Sequence, residues 1–296
     1  MNSWDDVVDF PEATVGEMRE IIREKRTELQ EKGLFVNTIL REDIFDILDA
    51  CCTVIFYPFE QDENDGFQVE RPVNYGGKPH MEQFVYLNTA KGLEKQVFAV
   101  GHELGHIWNV ADRLWQDEDL KRELPRKNNE EAAMNRFAAE MLMPREEFRR
   151  SAIGQLEAYR KRGKGIVTYH DCARITASLM NEFCVPMTSV ILRFYETGCL
   201  PAKTCDRLLF IGPGKISKER YQKAFKRSLD NCIEEEGYTR LQKPTYKKGI
   251  RDFAQLLREA EKQGVFSPEK ARRLRADMDI PEVEEDEINL DEAGLE

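Results

Sequence analysis

His102 and His106, four residues apart with Glu103 directly after the first, make up half of this chain's four histidines. On an α-helix, residues i and i+4 lie on one face, so the two imidazoles can grip a single metal ion. Glu103 then stands beside that ion, facing the water that completes its coordination, and can act as general base. These residue types at this spacing point to metal-assisted hydrolysis. A catalytic zinc site needs a third protein ligand and one open position. Downstream, Glu131 and Asn135 are again four apart, on one helical face with Ala138 and Leu142. Glu131 suits a metal ligand, and Asn135 suits an acceptor for a hydrogen bond from a ligand imidazole. Glutamates also favour a helix N-terminus for its positive dipole end. Glu130 is read that way, and Glu131 as the third ligand.

The elements that must hold these residues are legible in outline. From Glu94 to Ala111, apolar residues recur at Val97, Val100, Leu104, Ile107, Trp108 and Ala111, close to a 3.6-residue period. Gly101 and Gly105 cost helix propensity but remove bulk where another helix or a substrate must come close. The second helix is capped by Asn128 or Asn129 and ended by Pro144. Upstream, the pattern predicts a charged helix over 14–32, a shorter one over 41–50 and a buried strand over 53–57. Pro58 and an acidic loop over 60–65 end that strand. Further strands are predicted over 67–70 and 84–87, separated by a turn over 74–79 with His80 at the surface. A small sheet followed by two metal-bearing helices is an α+β, zincin-like arrangement in which a substrate peptide could add to a sheet edge. Beyond Pro144 the chain reads as mostly helical.

HELGH, followed by EEAAMNRFAAEMLMP, closely resembles the ImmA/IrrE family of zinc metallopeptidases. The strand-like 83–88 before the motif helix is similar to a strand of that family. The run 179–194 looks like the helix-turn-helix-like end of its peptidase unit, so the likeness covers roughly residues 15–200. The resemblance implies His102, His106 and Glu131 as metal ligands and Glu103 as catalytic base. It also implies a protein substrate, a partner transcriptional repressor whose cleavage switches on stress or mobile-element genes. Gly101 and Met134 stand where alanine is usual in the family, and neither change removes a functional group. Two imidazoles and a carboxylate also accommodate Mn²⁺ or Fe²⁺, so the ligands are better specified than the metal. His170, Tyr169 and Tyr86 are further candidates, as groups that could stabilise the oxyanion of the transition state.

Whole-chain properties frame these residues. The expected organisation is a metallopeptidase core over 1–145, a helical, helix-turn-helix-like subdomain over 146–200, a basic helical extension over 201–280 and an acidic tail over 281–296. The extension carries nineteen basic against twelve acidic residues, and the tail eight acids and no base. Helical patterns fall near 217–236, 247–264 and 268–277. Their clusters Lys247-Lys248 and Arg272-Arg273-Leu274-Arg275 read either as solvated helix faces or as nucleic-acid contacts, the former being commoner. The extension is expected to dock the repressor or to regulate cleavage. No apolar run has membrane-spanning length, and the acidic start is unlike a signal peptide. Seven cysteines, odd in number and irregularly spaced, fit thiols in a cytoplasmic setting. Two rival readings are a non-proteolytic metal-containing regulator that binds a repressor or DNA through 176–197, and a toxin-antitoxin component. An intact Glu103 argues against the first, because a pure binding module has no need of a base beside its metal.

Overall fold

The structure is a computed structural model that describes residues 9–34, 36–59, 64–75, 78–116, 130–163, 165–209 and 216–280. The proposed caps Asn128 and Asn129, most of the acidic loop and the acidic tail lie outside them. The architecture is α+β: twelve α-helices and one three-stranded mixed sheet among the described residues.

Helix α1 (Glu12–Glu31) and α2 (Ile44–Cys51) precede strand β1 (Thr53–Tyr57), close to the boundaries expected from the sequence. Strands β2 (Gly66–Tyr75) and β3 (Lys78–Asn88) form a long hairpin, with β3 central, β1 parallel to it and β2 antiparallel at the other edge. Both hairpin strands extend well beyond the short runs expected. Pro72, which argues against a central strand, is tolerated because β2 is an edge strand. Pairing up to Tyr75↔Lys78 narrows the expected 74–79 turn, and His80 lies in β3 opposite Val73 instead of in a loop.

One sheet face, bearing Val54, Phe56, Val85 and Leu87, is buried. The pleat puts Phe67 and Tyr86 on the other face, register partners whose rings stack 4.9 Å apart.

The motif helix α3 spans Leu93–Ile107 and buries Val97, Val100 and Leu104. It stops short of the expected Ala111 because Asn109 turns left-handed, at φ 52°. Helix α4 (Val110–Gln116) follows. Helix α5 (Glu130–Leu142) packs on α3, with Ala133, Phe137, Ala138 and Met141 buried. The two glycines make this contact possible. A Cβ on Gly101 would sit 3.1 Å from Ala138 Cβ, and one on Gly105 2.7 Å from Met134 Sδ. Met134, the departure from alanine noted above, fills the space that Gly105 leaves.

Beyond Pro144 come α6 (Arg145–Arg162), α7 (Tyr169–Phe183) and α8 (Met187–Glu196). Thr168 and Asp171 form a capping box at the start of α7. Helices α7 and α8 are bent by 101° across Cys184–Pro186. Helices α9 (Ala202–Leu209) and α10 (Ile216–Glu235) pack against α8 and α7 respectively, and a 3₁₀ turn (Tyr238–Gln242) follows. Compact units divide at Lys247 and Lys248, so residues 201–247 fold with the first unit instead of standing apart with the rest of the extension. The second unit contains α11 (Phe253–Lys262) and α12 (Pro268–Asp277). Among the described residues no single helix is long and apolar enough to cross a membrane.

Candidate metal centre

Helix α3 carries His102 and His106 on one edge, and α5 brings Glu131 to them from its first turn. The Nε2 atoms of the two histidines are 3.2 Å apart. His102 Nε2 lies 3.1 Å from Glu131 Oε2, and His106 Nε2 3.7 Å from Glu131 Oε1. Ligands about 2.0–2.1 Å from a tetrahedral metal are separated from one another by about 3.3 Å. The observed spacings straddle that edge length, so one ion fits within reach of all three donors. Among the described residues these three form the one group of histidine, cysteine or acidic side chains gathered closely enough to hold a metal.

Asn135, one turn beyond Glu131, places Oδ1 3.0 Å from His102 Nδ1. An amide oxygen only accepts, so the proton sits on Nδ1 and the Nε2 lone pair faces the cluster. Burial holds the His102 pKa below its usual value, against the opposing pull of Asn135 and Glu131. A neutral imidazole is the form that binds a metal.

Glu103 is 5% exposed and lies against the start of β2. Burial, reinforced by the charge of Glu131, pushes its carboxyl up to about 7. Gly66, at the start of β2, lies beside it: a Cβ there would be in ordinary contact at 3.6 Å from Glu103 Oε1, and tight only against the Tyr86 carbonyl at 3.2 Å and Leu87 at 3.3 Å. Sequence reading missed Gly66, whose only signal was an Asp-Gly pair ending a loop.

The three other candidates are placed differently. Tyr86 stacks on Phe67, and the pleat turns its ring to the face opposite the one where Gly66 meets Glu103. His170 Nδ1 is 2.7 Å from Ser228 Oγ on α10, an engagement with that helix and not with the donor group. Tyr169, beside it at the start of α7, is exposed.

An α+β unit whose two packed helices converge a two-histidine, one-carboxylate cluster, with a buried carboxylate alongside, is a metallopeptidase-type scaffold. The family description "IrrE N-terminal-like domain", a peptidase family, matches residues 49–194. Residues 49–194 thus form a domain of the ImmA/IrrE family. No curated protein matches the chain.

Proposed function

We propose that the chain is a zinc-dependent endopeptidase of the His-Glu-x-x-His type that cuts a partner protein, a helix-turn-helix transcriptional repressor. The observation carrying the reading is the convergence of His102, His106 and Glu131 at tetrahedral spacing, with Glu103 buried next to them. These three residues would hold the ion, which when bound supplies Lewis acidity toward a scissile carbonyl. Glu103 takes the proton from the attacking water and hands a proton to the leaving amine. Asn135 keeps His102 in the tautomer that presents Nε2. Strand β2, an edge of the sheet that begins beside Glu103, offers its backbone to an extended substrate segment.

Direct DNA reading has less support. Arg193, the one basic residue of α8, is buried against Glu140 and cannot reach a groove. In the extension, Lys248 pairs with Asp279 and Arg275 with Glu261.

The test is incubation of the purified chain with a helix-turn-helix repressor encoded beside it, with and without chelator. Cleavage that chelator stops and zinc restores is expected. A repressor left intact by stoichiometric zinc-loaded protein would overturn the substrate assignment.

A further inference from the structure

We propose that residues 242–247, well past the matched domain in sequence, are a positioning element of the metal-bearing helix. They clasp the connection between β3 and α3. Thr89, fully buried in that connection, accepts hydrogen bonds at its carbonyl from the backbone N–H groups of Thr245 (3.1 Å) and Tyr246 (3.0 Å). Its hydroxyl donates to the carbonyl of Lys247 at 2.8 Å. On α3 itself, Gln96 is 1% exposed and accepts from the Thr245 hydroxyl at 3.0 Å. The Gln96 amide donates back to the Lys91 carbonyl at 2.7 Å, so one side chain ties strap, connection and helix together. Gly92, the residue before α3, pairs with Pro244 in an isolated antiparallel bridge. A Cβ on Gly92 would sit 3.1 Å from the Gln242 carbonyl, so the strap crosses where only glycine leaves space. The Lys247 ammonium closes the strap over the Phe56 ring, 3.7 Å from its centroid.

The position of Gln96 gives the clasp its meaning. It precedes Glu103 by seven residues, two helical turns, and so occupies nearly the same face of α3. Gly92, the N-cap of α3, has no side chain to cap the helix, and the bonds that reach Gln96 and the preceding connection from the strap bear on the rotation and tilt of α3 there. A helix turned about its axis at Gln96 carries Glu103 and both imidazoles with it. Thr89, Gln96 and Thr245 are therefore positioning residues, acting on the metal site through α3.

The inference rests on the metallopeptidase reading for its effect on metal and on hydrogen bonding alone for the clasp. The test uses the full chain carrying Thr245→Val, Thr245→Ser or Gln96→Leu. Zinc affinity is read by competition with a chromophoric chelator, and site geometry by the visible spectrum of the Co²⁺-loaded protein. Gln96→Leu should weaken zinc about tenfold or more, the size typical of lost support behind a metal ligand. Thr245→Val should shift the cobalt bands in the same direction, and Thr245→Ser, which keeps the hydroxyl, should restore them. Should Gln96→Leu fail to fold, the Thr245 pair decides. Folded variants with wild-type zinc affinity and an unchanged cobalt spectrum would overturn the clasp. A wild-type chain that takes up no metal would sink the peptidase reading instead. Hydrogen exchange at the Glu103 and Leu104 amides then judges the clasp: faster in Thr245→Val if the strap positions α3, unchanged if it does not.

Discussion

Glu103 and Glu140 are both buried glutamates on the pair of helices that packs through Gly101 and Gly105, and they end in opposite states. Among the described residues no cationic side chain pairs with Glu103, and burial with the nearby charge of Glu131 raises its carboxyl to about 7. For Glu140 burial also pushes upward, but hydrogen bonds and charge from Arg193, with help from Arg136 and Arg19, outweigh it and hold the group down at about 2. Arg193 is itself fully buried, contacting Glu140 at 2.6 and 2.8 Å and donating to the Met143 carbonyl at 2.9 Å. Arg136 bridges Glu140 and Glu196. Burial alone does not decide what a carboxylate does. The counter-charge decides: an uncompensated carboxylate is available for proton transfer, and a compensated one locks helices α5 and α8 in register.

The largest expected effect lies on the catalytic side of that contrast. Glu103→Gln should slow cleavage of the proposed repressor substrate by about 10²–10⁴-fold, the range for loss of a general base. Its zinc content per chain should stay unchanged. Retained activity in a zinc-replete variant would remove Glu103 from the mechanism and erase the contrast. On the other side, Glu140→Leu strands Arg193 in the interior and should cost about 3–5 kcal/mol of stability in denaturant titrations. The Glu140 pairing stabilises the fold above the ordinary carboxylate value of 4.5, and that contribution is lost as pH falls toward about 2. Acid unfolding of the wild type should therefore show a component that the Glu140→Leu protein lacks.

Asn135→Ala tests whether support behind a ligand matters on the exposed side, and zinc affinity should fall by about 10–100-fold. Unaltered affinity would mean that the His102 tautomer needs no help.

The smallest effect is a second instance of the uncompensated kind. Glu94, at the start of α3, has a buried carboxylate oxygen without a hydrogen-bond partner, and burial raises its carboxyl to about 7. Its contribution to stability is intact below about 4.5 and is lost as pH rises through about 7. Glu94→Gln should gain about 1–2 kcal/mol over wild type at pH 8 and little at pH 5, a discounted share of the 1.4 kcal/mol per pK unit. Equal stability differences at the two pH values would show that Glu94 stays ionised throughout.

Legibility in the sequence followed the range of the interactions. The i, i+4 spacings of His102 and His106 and of Glu131 and Asn135 are local and readable, whereas the packing of α5 on α3 is what gathers His102, His106 and Glu131 into one donor group with Asn135 behind it. Gly101 and Gly105 were readable as sites of close approach, though not that Ala138 and Met134 would fill them. The length of the hairpin is not legible locally: residues 74–79 read as a turn, while pairing runs to Tyr75↔Lys78, and Pro72 is accommodated by the edge position of β2. Tyr86 is a candidate because it lies on the strand expected nearest the cleft, and the pleat turns its ring to the face where it stacks on Phe67. Nothing local marks Thr245 as a partner of Gln96, since the two lie 149 residues apart. The same distance effect alters how the extension must be probed: removing 201–296 would take away α9, α10 and the strap, all part of the first unit.

By itself, then, the sequence determined the pairs His102/His106 and Glu131/Asn135, because one helical period brings each pair to a common face of its own helix. Tertiary structure decided which carboxylate stays uncompensated and which is locked by guanidinium groups. It also decided which distant backbone holds the start of α3. Those outcomes depend on electric fields and hydrogen bonds between segments far apart in the chain, whose meeting is fixed only when the core has packed.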